Sequence, residues 1–234
     1  MAQQGINKGD VLLRLAGPSF IVGAILLVVF NILHPRPDDP SVAAQMVQKI
    51  AENRGGFWEV VNLLLAVGIW AFMIGAAGVY RSISAGSGAV FARLGFYGII
   101  VGTALWSALF ALMGFGLPLV VEEMQNATGT TAATLGVVAS SLVGMTTGLF
   151  SMTIIVYWLA FIFLGAGMAL SRVYPKLLGW VGVVLGVATV GAVGLPQAFA
   201  GPSDVVTNLL FPILATISTA WGLAIGIWLV RKAW

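Results

Sequence analysis

Six stretches of this chain are long, apolar and almost free of charge: Val11–Leu33, Phe57–Tyr80, Leu94–Val121, Gly148–Leu170, Leu177–Ala200 and Val206–Val230. About twenty such residues wound into a helix cross the hydrocarbon core of a bilayer, where a backbone must satisfy its own hydrogen bonds. The pattern predicts an all-α, polytopic membrane bundle of six transmembrane helices, one integral membrane domain over residues 1–234. With 59% hydrophobic and 8% charged residues, the chain has too little polar surface to cover a water-soluble globule. It has no cysteine, so disulfides, thiolate chemistry and Cys-based metal sites are excluded. The polar lead before Val11 is followed by a run too long for a cleaved signal and reads as a retained anchor.

One apolar stretch is too long for a single crossing. Thr131–Leu170, wound as one helix, would measure about 60 Å, twice the hydrocarbon thickness. We expect it to divide into a shallow outer segment, Thr131–Val143, and a separate span after it.

Charge sets the orientation. If the N-terminus is inside, Lys8, Arg14, Arg81, Arg93, Arg172, Lys176, Arg231 and Lys232 are cytoplasmic, and only Arg36, Lys49 and Arg54 are outside. Of the acids, Asp10 alone is then inside, while Asp38, Asp39, Glu52, Glu59, Glu122, Glu123 and Asp204 are outside. This positive-inside bias runs through every inner loop and predicts a cell-membrane protein with both termini cytoplasmic. The pI near 9.5 is therefore a topology signal, with no nucleic-acid partner implied.

Between the first two runs, Val42, Met46 and Ile50, with Ala43, Val47 and Ala51 beside them, predict a short outer amphipathic helix. It would start at Asp39-Pro40-Ser41 and stop at Asn53-Arg54-Gly55-Gly56. A weak parallel repeat relates about 41–121 to 122–200, because Tyr80-Arg81 leading to Arg93-Leu-Gly95 is echoed by Ser171-Arg172 leading to Lys176-Leu-Leu-Gly179. Glycines at small-xxx-small spacing, Gly98/Gly102, Gly144/Gly148, Gly182/Gly186 and Gly222/Gly226, predict close helix packing within the chain first and with other subunits or a second copy next.

Candidate chemistry is sparse. The middle of every run lacks Asp, Glu, Lys, Arg and His, which argues against proton pumping and Schiff-base chemistry. The hydroxyls that do lie at depth, such as those of Ser107, Ser151, Thr153 and Thr219, read as bonded back to helix carbonyls. The lone histidine, His34, precedes Pro35 and so ends the first helix, with Asn31 one turn deeper. Glu59 and Asn62 lie at matched depth on the second helix. Asn31, His34, Glu59 and Asn62 thus form a candidate outer polar site, with Arg36 and Arg54 placed to neutralise Glu59. One histidine and one acid make too thin a set for a metal. Trp70, Trp106, Trp158 and Trp221 fall near the centres of four runs, away from the headgroup belt where tryptophan collects. Facing inward they could line a pocket for a lipid, quinone or carotenoid; facing outward they would meet membrane lipids or partners. Trp58, Trp180, Trp228 and Trp234 fit the interfacial belt.

Arg14-Leu-Ala-Gly17, Leu33-His34-Pro35, the Ala-rich segment Val42–Glu52, Trp58-Glu-Val-Val-Asn62, Tyr80-Arg81 and Arg93-Leu-Gly95 together resemble uncharacterised prokaryotic six-helix membrane proteins, including the DUF4386 type. The resemblance covers mainly residues 11–100. It implies a six-helix fold and a prokaryotic cell-membrane location, without an activity. In that pattern the fourth position after the tryptophan is often histidine; here it is Asn62. Three functions stay open. The foremost is a non-catalytic subunit or scaffold of a larger membrane complex. The others are a small transporter or lipophilic-ligand carrier using the Trp layer, and a membrane enzyme working through His34 and Glu59.

Overall fold

The structure, a computed structural model, describes residues 10–233; Lys8, Trp234 and the polar lead before Asp10 lie outside the described residues. Its helices are α1 (Val11–Leu33), α2 (Ala43–Asn53), α3 (Phe57–Ser82), α4 (Ser87–Ala111), α5 (Leu117–Asn126), α6 (Gly129–Leu170), α7 (Lys176–Thr189), α8 (Leu195–Ala200) and α9 (Phe211–Ala233). Wider π turns, Leu112–Gly116 and Val190–Gly194, join α4 to α5 and α7 to α8 without interruption, and a third, Val205–Leu210, leads into α9. Six continuous helical rods, starting at residues 11, 57, 87, 129, 176 and 205, are long and apolar enough to cross a membrane, as expected of a multi-pass protein.

Each rod packs on its neighbours in sequence, and α9 closes against α1, so the six form a ring. Glycine sets how near the backbones come. A side chain at Gly95 of α4 would collide with the backbone of Leu164 on α6, and Gly17 of α1 and Gly226 of α9 meet face to face. Phe72 of α3 sits centrally, edge-on to Phe20 at 4.7 Å and stacked on Phe161 at 5.8 Å.

The π turns have a chemical cause. Each is followed two residues later by a proline: Pro118, Pro196 and Pro212. Proline has no N–H to donate, and its ring pushes away the carbonyl four residues back, so the preceding turn widens by one residue. Gly116-Leu-Pro118 and Gly194-Leu-Pro196 repeat this device in two of the rods.

The bundle has two distinct ends. At the basic end the Arg81 guanidinium holds the Asp10 carboxylate at 3.0 Å, Tyr174 shares a 2.8 Å hydrogen bond with Ser82, and Tyr174 packs on Trp228. At the opposite end, that of His34, the Trp58 indole donates to the Met113 carbonyl at 2.6 Å, and Asn208 donates to the Pro37 carbonyl at 3.0 Å.

Two expectations need correction. The predicted break near Val143 is absent, and Thr131–Leu170 lies within one unbroken helix of 42 residues. Nothing in the stretch stops a helix: it holds no proline, and Thr134, Ser141, Thr147 and Ser151 turn their hydroxyls onto carbonyls four residues earlier. The early part of α6 packs against α5 as a hairpin and is covered by α2. The second correction concerns Trp58, which is fully buried instead of lying in an interfacial belt. It forms a small core with Val47, Ile50, Leu117, Val121, Ala139 and Val143, by which α2 lays its apolar stripe on the α5–α6 hairpin. The amphipathic helix is thus present, but Val42 precedes it with no side-chain cap, and Asp39 instead accepts from the N–H and hydroxyl of Ser41.

Candidate functional site: a cavity inside the ring

The ring of helices leaves its middle unfilled. A cavity of about 210 Å³ runs inward from the His34 end, and all six rods line it. That exceeds the roughly 150 Å³ that suffices to hold benzene in an apolar core. The walls are mostly apolar, among them Leu27, Leu65, Phe72, Phe110, Phe150 and Phe211. Asn208 reaches it from one π turn and Met113 from another, while Gln197 follows the third. The prolines therefore shape the site by widening the helices around it.

What marks the cavity as built for an occupant is its polar inventory. The indole Nε1 of Trp106, the phenol oxygen of Tyr157, the Gln197 Oε1 and the Asn208 Oδ1 are buried and have no hydrogen-bond partner among the described residues. All four residues line the cavity. Burying such a group unpaired costs about 1–3 kcal/mol, so four in one space call for something to pair them.

The candidate residues divide. Asn31, His34 and Asn62 come together at the cavity's open end. His34 donates from Nδ1 to its neighbouring carbonyl at Pro35, 2.9 Å away, and its ring leans on Trp58 at 4.9 Å. By area His34 is only partly covered, but its ring is crowded on nearly all sides. That desolvation, with the charge of Arg36 adding to it, pulls its pKa down from 6.5 to about 4 despite hydrogen bonds to Pro35 and Asn62, so the ring is neutral at pH 7. Asn62 donates to the Trp58 carbonyl at 2.9 Å. Glu59 takes no part in the cavity: its carboxylate turns back to accept from the N–H groups of Gly55 and Gly56 at the start of α3. Of the expected neutralisers, Arg54 pairs directly with Glu122 at 3.3 Å while its charge still acts on Glu59, and Arg36 is engaged with the carbonyl and side chain of Asn31 at 2.8 and 3.0 Å.

The four central tryptophans do not form one layer. Trp106 and Trp158 line the cavity, and the Trp158 indole donates to Ser218 at 2.9 Å. Trp221 is buried deeper, donating to the Leu178 carbonyl at 2.7 Å and packing on Phe161. Trp70 is 43% exposed on the outside of the ring, tied to Ser107 at 2.9 Å. Sequence reasoning missed Tyr157 and Gln197. Both are hydrogen-bonding residues inside long apolar runs, and Gln197 directly follows a proline, which was the available signal.

No family model, no curated protein and no solved structure matches this chain.

Proposed function

We propose that this chain is a carrier or binding protein for an apolar, lipid-like ligand, held in a prokaryotic cell membrane with both termini cytoplasmic and its cavity open to the outer side. The orientation rests on the basic residues. Arg14, Arg81, Arg93, Arg172, Lys176, Arg231 and Lys232 belong to the end away from His34, which the positive-inside rule assigns to the cytoplasm. One observation carries the functional reading: the unpartnered N–H of Trp106 and O–H of Tyr157 inside a mostly apolar cavity. A few placed polar groups in a mostly apolar wall are the common pattern of a small-molecule site.

The scaffold reading loses its motive, because the glycine faces are used within the chain. Gly98 faces Ala160, Gly102 faces Tyr157, Gly182 faces Trp221 and Gly222 faces Phe72; only the Gly144/Gly148 pair has open space around it. The enzyme reading lacks an acid beside His34, since Glu59 is turned away. Gentle detergent extraction from native membranes, followed by native sizing and mass spectrometry of the band, tests the proposal. A band near the mass of one or two chains, releasing a lipid, quinone or carotenoid on denaturation, is expected. Migration within a large assembly of other proteins would return the chain to the scaffold role.

A further inference from the structure

The cavity is apolar but not neutral. Among the described residues that line it, Arg36 is the one that is permanently charged, and none is a carboxylate. The ion pairs among the described residues leave Arg36 out, and a single nitrogen, Nη2, makes both of its hydrogen bonds to Asn31. A guanidinium has five N–H donors in a fork that suits carboxylate or phosphate, so most of its donors remain for another acceptor. His34 beside it is neutral and supplies no competing charge.

Farther in, the chemistry changes. Trp106 is two helical turns, about 10 Å, along the same continuous rod from Met113, whose carbonyl marks the His34 end. Here two donors, the Trp106 indole and the Tyr157 phenol, face the cavity without an acceptor. Around and below them the walls are aromatic, with Phe72, Phe161 and Trp158. At about 210 Å³, about 1.4 times the benzene-sized cavity, the space takes part of one hydrocarbon chain and has no room for two.

Resting on the carrier reading above, we infer that the ligand is a single-chain anionic amphiphile, its phosphate or carboxylate head on Arg36, an ester carbonyl received by Trp106 and Tyr157, and its chain in the aromatic interior. The head supplies the counter-charge that Arg36 lacks, and the ester oxygen pairs the two buried donors.

The test uses the full-length, delipidated protein in mild detergent, titrated with 1-oleoyl lysophosphatidate, 1-oleoyl lysophosphatidylcholine, monooleoylglycerol and inorganic phosphate, with bound species read by native mass spectrometry. Lysophosphatidate should bind at least about tenfold more tightly than monooleoylglycerol, the scale of one charge-assisted contact. Lysophosphatidylcholine should fall between, and inorganic phosphate should neither bind nor displace the chain-bearing probes. Arg36→Gln should reduce lysophosphatidate to the level of monooleoylglycerol, and Arg36→Lys should recover part of the difference. Equal affinity for lysophosphatidate and monooleoylglycerol in the unmodified protein, a comparison that needs no variant, overturns the anionic head. Displacement by inorganic phosphate overturns the amphiphile in favour of a soluble anion. Ala215→Trp, which fills the cavity, separates this inference from the reading beneath it. Loss of every probe supports the cavity as the site, whereas unchanged binding would mean lipid held on the outside of the ring and would remove both.

Discussion

At the scale of single residues, His34 shows how placement decides chemistry. Crowding by Trp58 and the helix ends, with Arg36 nearby, holds its pKa at about 4, against 6.5 for an ordinary histidine. The unfolded chain takes up a proton as pH falls through about 6.5, while the folded chain resists until about 4. Acid therefore pulls the equilibrium toward unfolding in that window, and the stability tied to a neutral His34 is complete only above it. We expect the thermal midpoint in detergent, followed by tryptophan fluorescence, to fall as pH is lowered from 6.5 toward 4. His34→Gln should show a shallower fall; parallel curves for the two proteins would contradict a neutral, desolvated ring. What the chain order could show here was that Pro35 ends the helix at His34. That Asn62 would approach its ring, and that Glu59 would spend its carboxylate on Gly55 and Gly56, depended on how α1 and α3 meet.

At the scale of elements, glycine and proline carry the specificity. The helices have little hydrophobic drive to associate in lipid, so close backbone approach substitutes for it. Gly95 is such a crossing, where an added methyl would collide with the backbone of Leu164, whereas Gly144 has nothing within 4 Å. Gly95→Ala should lower stability by at least about 1–3 kcal/mol, the cost of overpacking. Gly144→Ala should be neutral or gain up to about 1 kcal/mol from helix propensity. Yield of monodisperse protein and its thermal midpoint decide this, and equal loss in both variants would refute the distinction. The glycine spacing was visible in the sequence, but it singled out Gly144 with Gly148 and passed over Gly95, because spacing alone does not show which glycine meets another backbone. The π turns were not read from the sequence: proline within an apolar run requires a local adjustment, but Pro18 stands inside α1 with no π turn before it. The break expected near Val143 arose from fitting bilayer thickness to Thr131–Leu170. Local chemistry overrode that length, because no residue there interrupts the hydrogen-bond ladder.

At the scale of the whole molecule, a closed ring produces the cavity, and orientation decides who can reach it. The chain lacks cysteine, so single introduced thiols report topology without background. Thr128→Cys, in the turn between α5 and α6, should react with a membrane-impermeant maleimide on intact cells. Ser84→Cys, in the turn between α3 and α4, should react only after permeabilisation. The reverse pattern would place the cavity mouth in the cytoplasm and change the proposed direction of loading.

The sequence by itself determined the helices and their membrane character, because each run of apolar residues has to satisfy its backbone internally wherever it packs. It also determined the separation of charge between the two ends, since that is written residue by residue along the chain. Only the tertiary structure decided which polar groups were left over. Ser107 and Thr153 bond back to carbonyls of their own helices, as expected, but Ser218 obtained its partner, the Trp158 indole, across the ring, while Trp106, Tyr157, Gln197 and Asn208 were turned into a common space with at least one polar atom unpaired. Pairing depends on which helices face each other across the ring, and on turns widened by prolines far apart in the chain. No local pattern contains that information.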